Sequence, residues 1–352
     1  MGNDAGLIEK INRLRKEKNA VILAHFYQIP EIQDIADFVG DSLDLSRKSA
    51  ATDADVIVFA GVHFMAETAK ILSPKKKVLI PDPNAGCSLA DSCPADAFRE
   101  FRAKYPDHVV VSYVNTSAEI KAMTDITCTS SNALQVIQSI PEDQKIIFAP
   151  DKNLGNFLNS ITGRDMVLWD GACHVHEKFS LEKILTLKKE YPHAKLIAHP
   201  ECEKPVLLAA DYIGSTSALL RFVESDQGNE YIVATESGIL HQMRKRNPRK
   251  TFIPAPPIDS TCGCSECIFM KMHTLQKIYD SLNEEKFEIL LDPEIIERQE
   301  NQSKECWKYL PEICKRLFKT MIWEGILRSG NLSFFLRSCF VKPGLCVRSE
   351  AN

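Results

Sequence analysis

Long apolar runs are absent from this chain. Val56 to Ala60 is representative, and it is far shorter than the roughly 20 residues a membrane-spanning helix needs. An excess of positive charge is absent too. Lys and Arg total 43 against 47 Asp and Glu, giving a net charge of −4 and a pI near 6.2, so there is no electrostatic footprint for nucleic acid. The stretch from Met1 to Lys18 is polar and charged and lacks the apolar centre of an export signal. Gly6 stands where a myristoylation pattern needs Ser or Thr. Glycine (15) and proline (18) are too sparse for a fibrous or low-complexity chain. What remains is the expectation of a cytoplasmic protein of enzyme size, with neither nucleic acid nor membrane among its partners. At roughly 150 residues per domain, 352 residues correspond to about 2.3 domains.

Cysteine is abundant, with 12 residues and no export signal. In a reducing compartment disulfides are disfavoured, so clustered cysteines point to metal binding or redox chemistry, against the plainer reading of small buried side chains. Spacing has to decide between these.

The spacing shows a repeat. Three apolar runs end in polar clusters: Val21 to Gln28, Val109 to Thr116 and Lys195 to Cys202. Near their ends lie His25, Tyr113 and His199, 88 and 86 residues apart. Each run leads to a small-residue cluster containing Ser42, Ser130 or Ser215, where Ser and Thr suit helix N-caps. A second strand follows at Val56 to Ala60, Lys145 to Ala149 and Glu230 to Ala234, then a helical stretch. A third strand closes each unit at Val78 to Pro81, Met166 to Asp170 and Thr251 to Pro254. Each third strand runs into cysteine: Cys87, Cys173, and the group Cys262, Cys264 and Cys267. Short apolar strands alternating with helices predict parallel α/β units buried on both faces. Three such units predict three-layer α/β/α domains related by a pseudo-threefold axis. Ligands of α/β units sit beyond the carboxyl ends of the strands. One central cleft would then collect His25, Tyr113, His199 and a cysteine from each unit.

Three thiolates at one point suit an iron-sulfur centre. A 4Fe–4S cluster normally takes four cysteines, so three leave one iron open to act as a Lewis acid. Cys264 and Cys267 also form a C-x-x-C, whose competing reading is a local zinc or redox pair. Cys93 and Cys128 have no counterparts in the other units and read as buried thiols. Cys202 carries no assigned role.

The motifs AHFYQ (Ala24 to Gln28), PDPNAGCSLADSC (Pro81 to Cys93), SYVNTSAEIKA (Ser112 to Ala122), WDGACHVHE (Trp169 to Glu177), AHPEC (Ala198 to Cys202) and TESGILH (Thr235 to His241) together resemble the iron-sulfur quinolinate synthase A family. The resemblance runs from about residue 20 to 295. It implies three pseudo-symmetric α/β domains around a 4Fe–4S cluster held by Cys87, Cys173 and Cys267. The implied reaction condenses iminoaspartate with dihydroxyacetone phosphate, losing phosphate and two waters, to give quinolinate for NAD synthesis. An aspartate-oxidising enzyme would supply the iminoaspartate.

Such substrates carry carboxylates and a phosphate. Hydroxyls and N–H groups at helix N-termini are ready anion sites, which nominates Ser42, Ser130, Ser215 and Thr216, with Tyr113 and Asn115 as further hydrogen-bonding groups. Proton transfers nominate His25, Tyr27, His199 and Glu201. Glu201 is expected to remove carbon-bound protons, Tyr27 to donate, and the histidines to hold substrate oxygens. His176 is expected to face the same cleft and His174 to point away. His63, Glu67 and Lys70 read as a helix capping the cleft, with Phe64 and Met65 as core. Basic residues between His241 and Arg249 read as a solvated face.

The expected units are 1–88, 89–174 and 175–268, with a closing helical segment at 269–298. Motifs stop near Arg298. Residues 299–352 hold four of the 12 cysteines and two of the three tryptophans. Dropping two bases from a back-translation of Gln299 to Tyr309 permits a family-like helix, so a frameshifted or disordered tail is expected, with a genuine lineage-specific extension as the alternative. Two other functions stay open: an aconitase-type hydro-lyase, and an iron-sulfur sensor or metal-binding module without turnover.

Overall fold

The computed structural model describes residues 2–259 and 265–297. Cys262, Cys264 and the segment 299–352, with its suspected frameshift, lie outside the described residues.

Among the described residues, twelve strands form three four-stranded sheets, all parallel. The first contains β1 (Ala20–His25), β2 (Phe38–Gly40), β3 (Val56–Ala60) and β4 (Lys77–Leu79). The second contains β5 (Val109–Tyr113), β6 (Ile126–Cys128), β7 (Ile146–Ala149) and β8 (Val167–Leu168). The third contains β9 (Lys195–Ala198), β10 (Tyr212–Ile213), β11 (Glu230–Ala234) and β12 (Thr251–Pro254). Each sheet has the same order, with its second strand at one edge: β2-β1-β3-β4, β6-β5-β7-β8 and β10-β9-β11-β12. The protein is therefore an α/β structure of three repeated units.

Every central strand is buried on both faces, which is why its sequence is continuously apolar rather than alternating. Successive side chains still point to opposite sides. In β1, Val21 and Leu23 join one core while Ile22 and Ala24 join another. In β5, Val109 and Val111 lie opposite Val110. In β9, Leu196 and Ala198 lie opposite Ile197. One core receives residues from both the first and second sheets and so welds those units together.

The sequence predicts three strands per unit; the structure has four. The extra ones, β2, β6 and β10, are two or three residues long, too short to carry a period. Their marker is an aspartate instead. Asp37, Asp125 and Asp211 each accept a hydrogen bond from the neighbouring central strand, at Ile22 N (2.8 Å), Val110 N (2.8 Å) and Leu196 N (2.7 Å). Each returns its own N–H to the same residue's carbonyl, so the edge strand is pinned at its start.

Helix starts also differ from expectation. Ser215 does cap Thr216–Ser225, accepting from the Ala218 N–H. The helix Ser42–Ala51 is capped by Asp41, which accepts from the Asp44 N–H. The helix Ala133–Ser139 follows Asn132, whose side chain turns back to accept from Thr129. Ser42 and Ser130 are thus released from capping.

Removing the Asp125 acceptor strands a buried N–H, which costs about 1–3 kcal/mol. Asp125→Ala is expected to lower the thermal midpoint accordingly. Asp125→Asn, which keeps an acceptor, should lose less.

Candidate functional site

The sheets' register brings three residues to equivalent places. Ala24 pairs with Ala60, Ser112 with Ala149, and Ala198 with Ala234. One step beyond Ala24, Ser112 and Ala198 stand His25, Tyr113 and His199, at the carboxyl ends of β1 and β5 and just past β9. All three are buried and line one cavity.

The same cavity is lined by Tyr27, Ser42, Asn115, Ser130, Glu201 and Thr216, and by Cys87, Cys173 and Cys267. Its space is about 70 Å³. One water requires roughly 10–15 Å³ on this measure, so the site accommodates something larger. Ser215 is the nominated residue outside the lining. It sits one layer back, where its hydroxyl meets Ser131 at 2.7 Å, and Ser131 also reaches Asp41 at 2.6 Å.

The cysteines are placed by one main-chain device used three times. The third residue beyond β3, β7 and β11 donates its N–H to the residue two before the cysteine. The bonds are His63 N to Ala85 O (2.7 Å), Lys152 N to Gly171 O (2.8 Å) and Ser237 N to Ser265 O (3.0 Å). After each cysteine the chain coils, and the N–H groups two and three residues on point back at the sulfur. These belong to Leu89 and Ala90, Val175 and His176, and Phe269 and Met270.

Burial pushes the Cys87 thiol up to about 12, with the charge of Cys267 adding to the effect. Cys267 rises to about 11, and Cys173 rises for the same reason, with Glu201 and Cys87 contributing. Three crowded thiols with N–H donors aimed at their sulfurs are a donor set that favours a soft cationic centre; such hydrogen bonds are among the groups that tune iron-sulfur sites. The set fits a cluster. Cys173, His176 and Glu201 also bring ligand atoms within 4.8 Å of one another, a group able to hold a metal. Glu201 and His176 are engaged elsewhere, however.

Those engagements form a chain through the buried polar groups. The Tyr27 hydroxyl meets Thr235 Oγ1 at 2.6 Å and Thr216 Oγ1 at 3.0 Å. Thr235 Oγ1 meets His176 Nε2 at 2.9 Å. His176 Nδ1 lies 3.0 Å from Glu201 Oε2, though off the N–H axis. Tyr113 donates its hydroxyl to Glu201 Oε1 at 2.5 Å. His199 stacks on His176 at 4.7 Å and meets Ser130 at 3.2 Å. Burial opposes the Glu201 charge, but His176, His199 and the Tyr113 hydroxyl hold its carboxyl well below the usual range. Burial keeps Tyr27 and Tyr113 protonated. Burial also lowers His25 to about 4 and His199 to about 3, so both are neutral.

Other residues fall as follows. His174 bonds Ser88 at 2.5 Å and is not among the lining residues. Phe64 and Met65, read as core, are buried and also line the cavity. Cys93, Cys128 and Cys202 are buried thiols. His241 and Lys245 pair with Asp34 on the surface. Asp41, Thr235 and Glu236 escaped the sequence reading. Their available signal was position: Thr235 and Glu236 directly follow β11, as Gly61 and Val62 follow β3. Gly238 is needed for contact, since a Cβ there would meet the Tyr27 main chain at 2.7 Å.

Fold and site together define a three-unit α/β enzyme with a thiol-lined centre that could hold a metal. The chain belongs to the quinolinate synthetase A protein family, whose model matches residues 9–305. It is 61% identical over 289 residues to the quinolinate synthase of Thermosynechococcus vestitus, covering 82% of this chain and 91% of the relative. The quinolinate synthase of Chloroherpeton thalassium is 57% identical over 289 residues, covering 82% and 90%. That of Trichormus variabilis is 61% identical, covering 82% and 89%.

Among the described residues no helix is long and apolar enough to cross a membrane. His273, which is buried and bonded to Gly61 O at 2.8 Å, is lowered by burial to about 4. Above pH 6.5 these imidazoles are neutral whether folded or unfolded. Below it the unfolded chain takes up protons that the folded chain refuses, so stability falls with pH. Thermal midpoints of the metal-free protein should therefore drop from pH 6.5 to 4. In His273→Gln the slope should be shallower.

Proposed function

We propose that this protein is a quinolinate synthase of NAD biosynthesis, active in the cytoplasm, which condenses iminoaspartate with dihydroxyacetone phosphate to quinolinate, releasing phosphate and two waters. An aspartate-oxidising enzyme would supply the iminoaspartate. The observation that carries this reading is the thrice-repeated device delivering Cys87, Cys173 and Cys267 to a cavity ringed by hydroxyl, imidazole and carboxylate groups. A 4Fe–4S cluster held by these cysteines supplies one open iron, a Lewis acid for a hydroxyl or carboxylate.

The chain's own residues do the rest. The helices Ser42–Ala51 and Thr216–Ser225 begin at the cavity, so Ser42 and Thr216 meet an anionic group together with the positive end of a helix. Ser130 and the Asn115 amide nitrogen add donors, while Asn115 Oδ1, an acceptor without a partner among the described residues, is available to a substrate hydroxyl. Ser215 steadies this corner through Ser131. Glu201, charged and held by Tyr113, removes carbon-bound protons. Tyr27, kept protonated, donates to a departing hydroxyl. His176 and Thr235 lie between these two and return the proton. His25 and His199, being neutral, each offer one donor and one acceptor to substrate oxygens. A sensor without turnover would have no need of this polar ring.

The test is quinolinate formation by anaerobically reconstituted protein given both substrates. Cluster uptake without turnover would favour the sensor reading. Glu201→Gln should lower kcat by roughly 10²–10⁴ with the cluster spectrum unchanged. Near-normal turnover would remove Glu201 from its role. Thr235→Val should lower kcat by about tenfold, a loss that Thr235→Ser recovers.

A further inference from the structure

The three units share the main-chain clasp, yet they differ at one equivalent position. Two residues beyond Ala60, Ala149 and Ala234 stand Val62, Asp151 and Glu236. Val62 is 3% exposed, and Asp151 and Glu236 are fully buried. Glu236 Oε1 accepts from the Cys267 N–H at 3.1 Å and from Lys271 Nζ at 2.9 Å, while Oε2 accepts from the Gly238 N–H at 2.7 Å. Asp151 Oδ1 accepts from the Leu154 N–H at 2.7 Å, while its Oδ2 has no partner among the described residues.

We propose that Glu236 is a positioning residue for the metal centre: its carboxylate holds the main-chain N–H of Cys267, a second hold that the first unit, with Val62 at the equivalent place, lacks. The inference rests on the ligand assignment above. Fixing the N–H of a cysteine limits rotation of its peptide and so fixes where Cβ and Sγ point. Partners that orient metal ligands from behind typically change metal affinity by 10–100-fold when lost. Valine cannot accept a hydrogen bond, so Cys87 depends on the main-chain clasp from His63 and on the coil that follows it. The centre is thus held more firmly at Cys267 than at Cys87.

Two measurements on the full chain test this. The first needs no variant. Amide hydrogen exchange of the reconstituted protein should protect Cys267 more than Cys87; equal protection of the two overturns the proposal. The second follows iron release to a chelator. Glu236→Val, combined with Lys271→Met to avoid a buried lone cation, should release iron roughly tenfold or more faster. Glu236→Gln, which retains an acceptor, should stay near the parent rate. Release at the parent rate from the valine variant overturns the proposal, as does equally fast release from the Gln variant. Cys173→Ala is the control for the ligand assignment: full cluster content there removes the assignment itself, whatever the carboxyl variants do.

Discussion

The arrangement depends on one hydrogen bond repeated three times, from the start of the segment after β3, β7 and β11 to the loop carrying the cysteine. It is a main-chain bond, so sequence can vary around it. His63, Lys152 and Ser237 have no side-chain chemistry in common, yet each N–H closes its loop on Ala85, Gly171 or Ser265. Two residues later comes a cysteine. The turn that follows aims two N–H groups at each sulfur. A buried, partly negative group is costly unless hydrogen bonds or opposite charge answer it. Here the N–H groups give part of that answer, and a metal centre would complete it.

Around this centre the units are alike in scaffold and unlike in chemistry. The equivalent places after the first strands hold His25, Tyr113 and His199. The places after β3, β7 and β11 hold Val62, Asp151 and Glu236. Tyr27 and Glu201 occur in the first and third units, and Tyr113 reaches from the second unit to bond Glu201. A symmetrical scaffold thereby surrounds an asymmetrical ligand space, which suits two different substrates meeting at one point. The charge states follow from burial. His25 and His199 lose their protons, Tyr27 and Tyr113 keep theirs, and Glu201 stays charged because donors converge on it.

The units are held to one another by residues that line the site or stand directly behind it. Tyr27 of the first unit bonds Thr216 and Thr235 of the third. Ser131 of the second bonds Asp41 of the first and Ser215 of the third. Stability of the assembly and geometry of the site are therefore coupled, and a substitution at these junctions acts on both.

Much of this was legible in the chain. The period near 86 to 88 residues, the apolar strands and the recurring cysteines were enough for three parallel α/β units, because strands buried on both faces leave a continuous apolar record. Strands of two or three residues leave none, so β2, β6 and β10 appear only with their pinning aspartates. The sequence also placed His25, Tyr113 and His199 at equivalent positions and nominated Cys267 among three candidates by motif. What it could not decide was which serine caps and which faces the cavity, since Asp41 and Asn132 compete for the same helix starts. Nor could it show that Thr235 and His176 lie between Tyr27 and Glu201. Those links join residues from different units, and only the packing of three sheets brings them within hydrogen-bond distance.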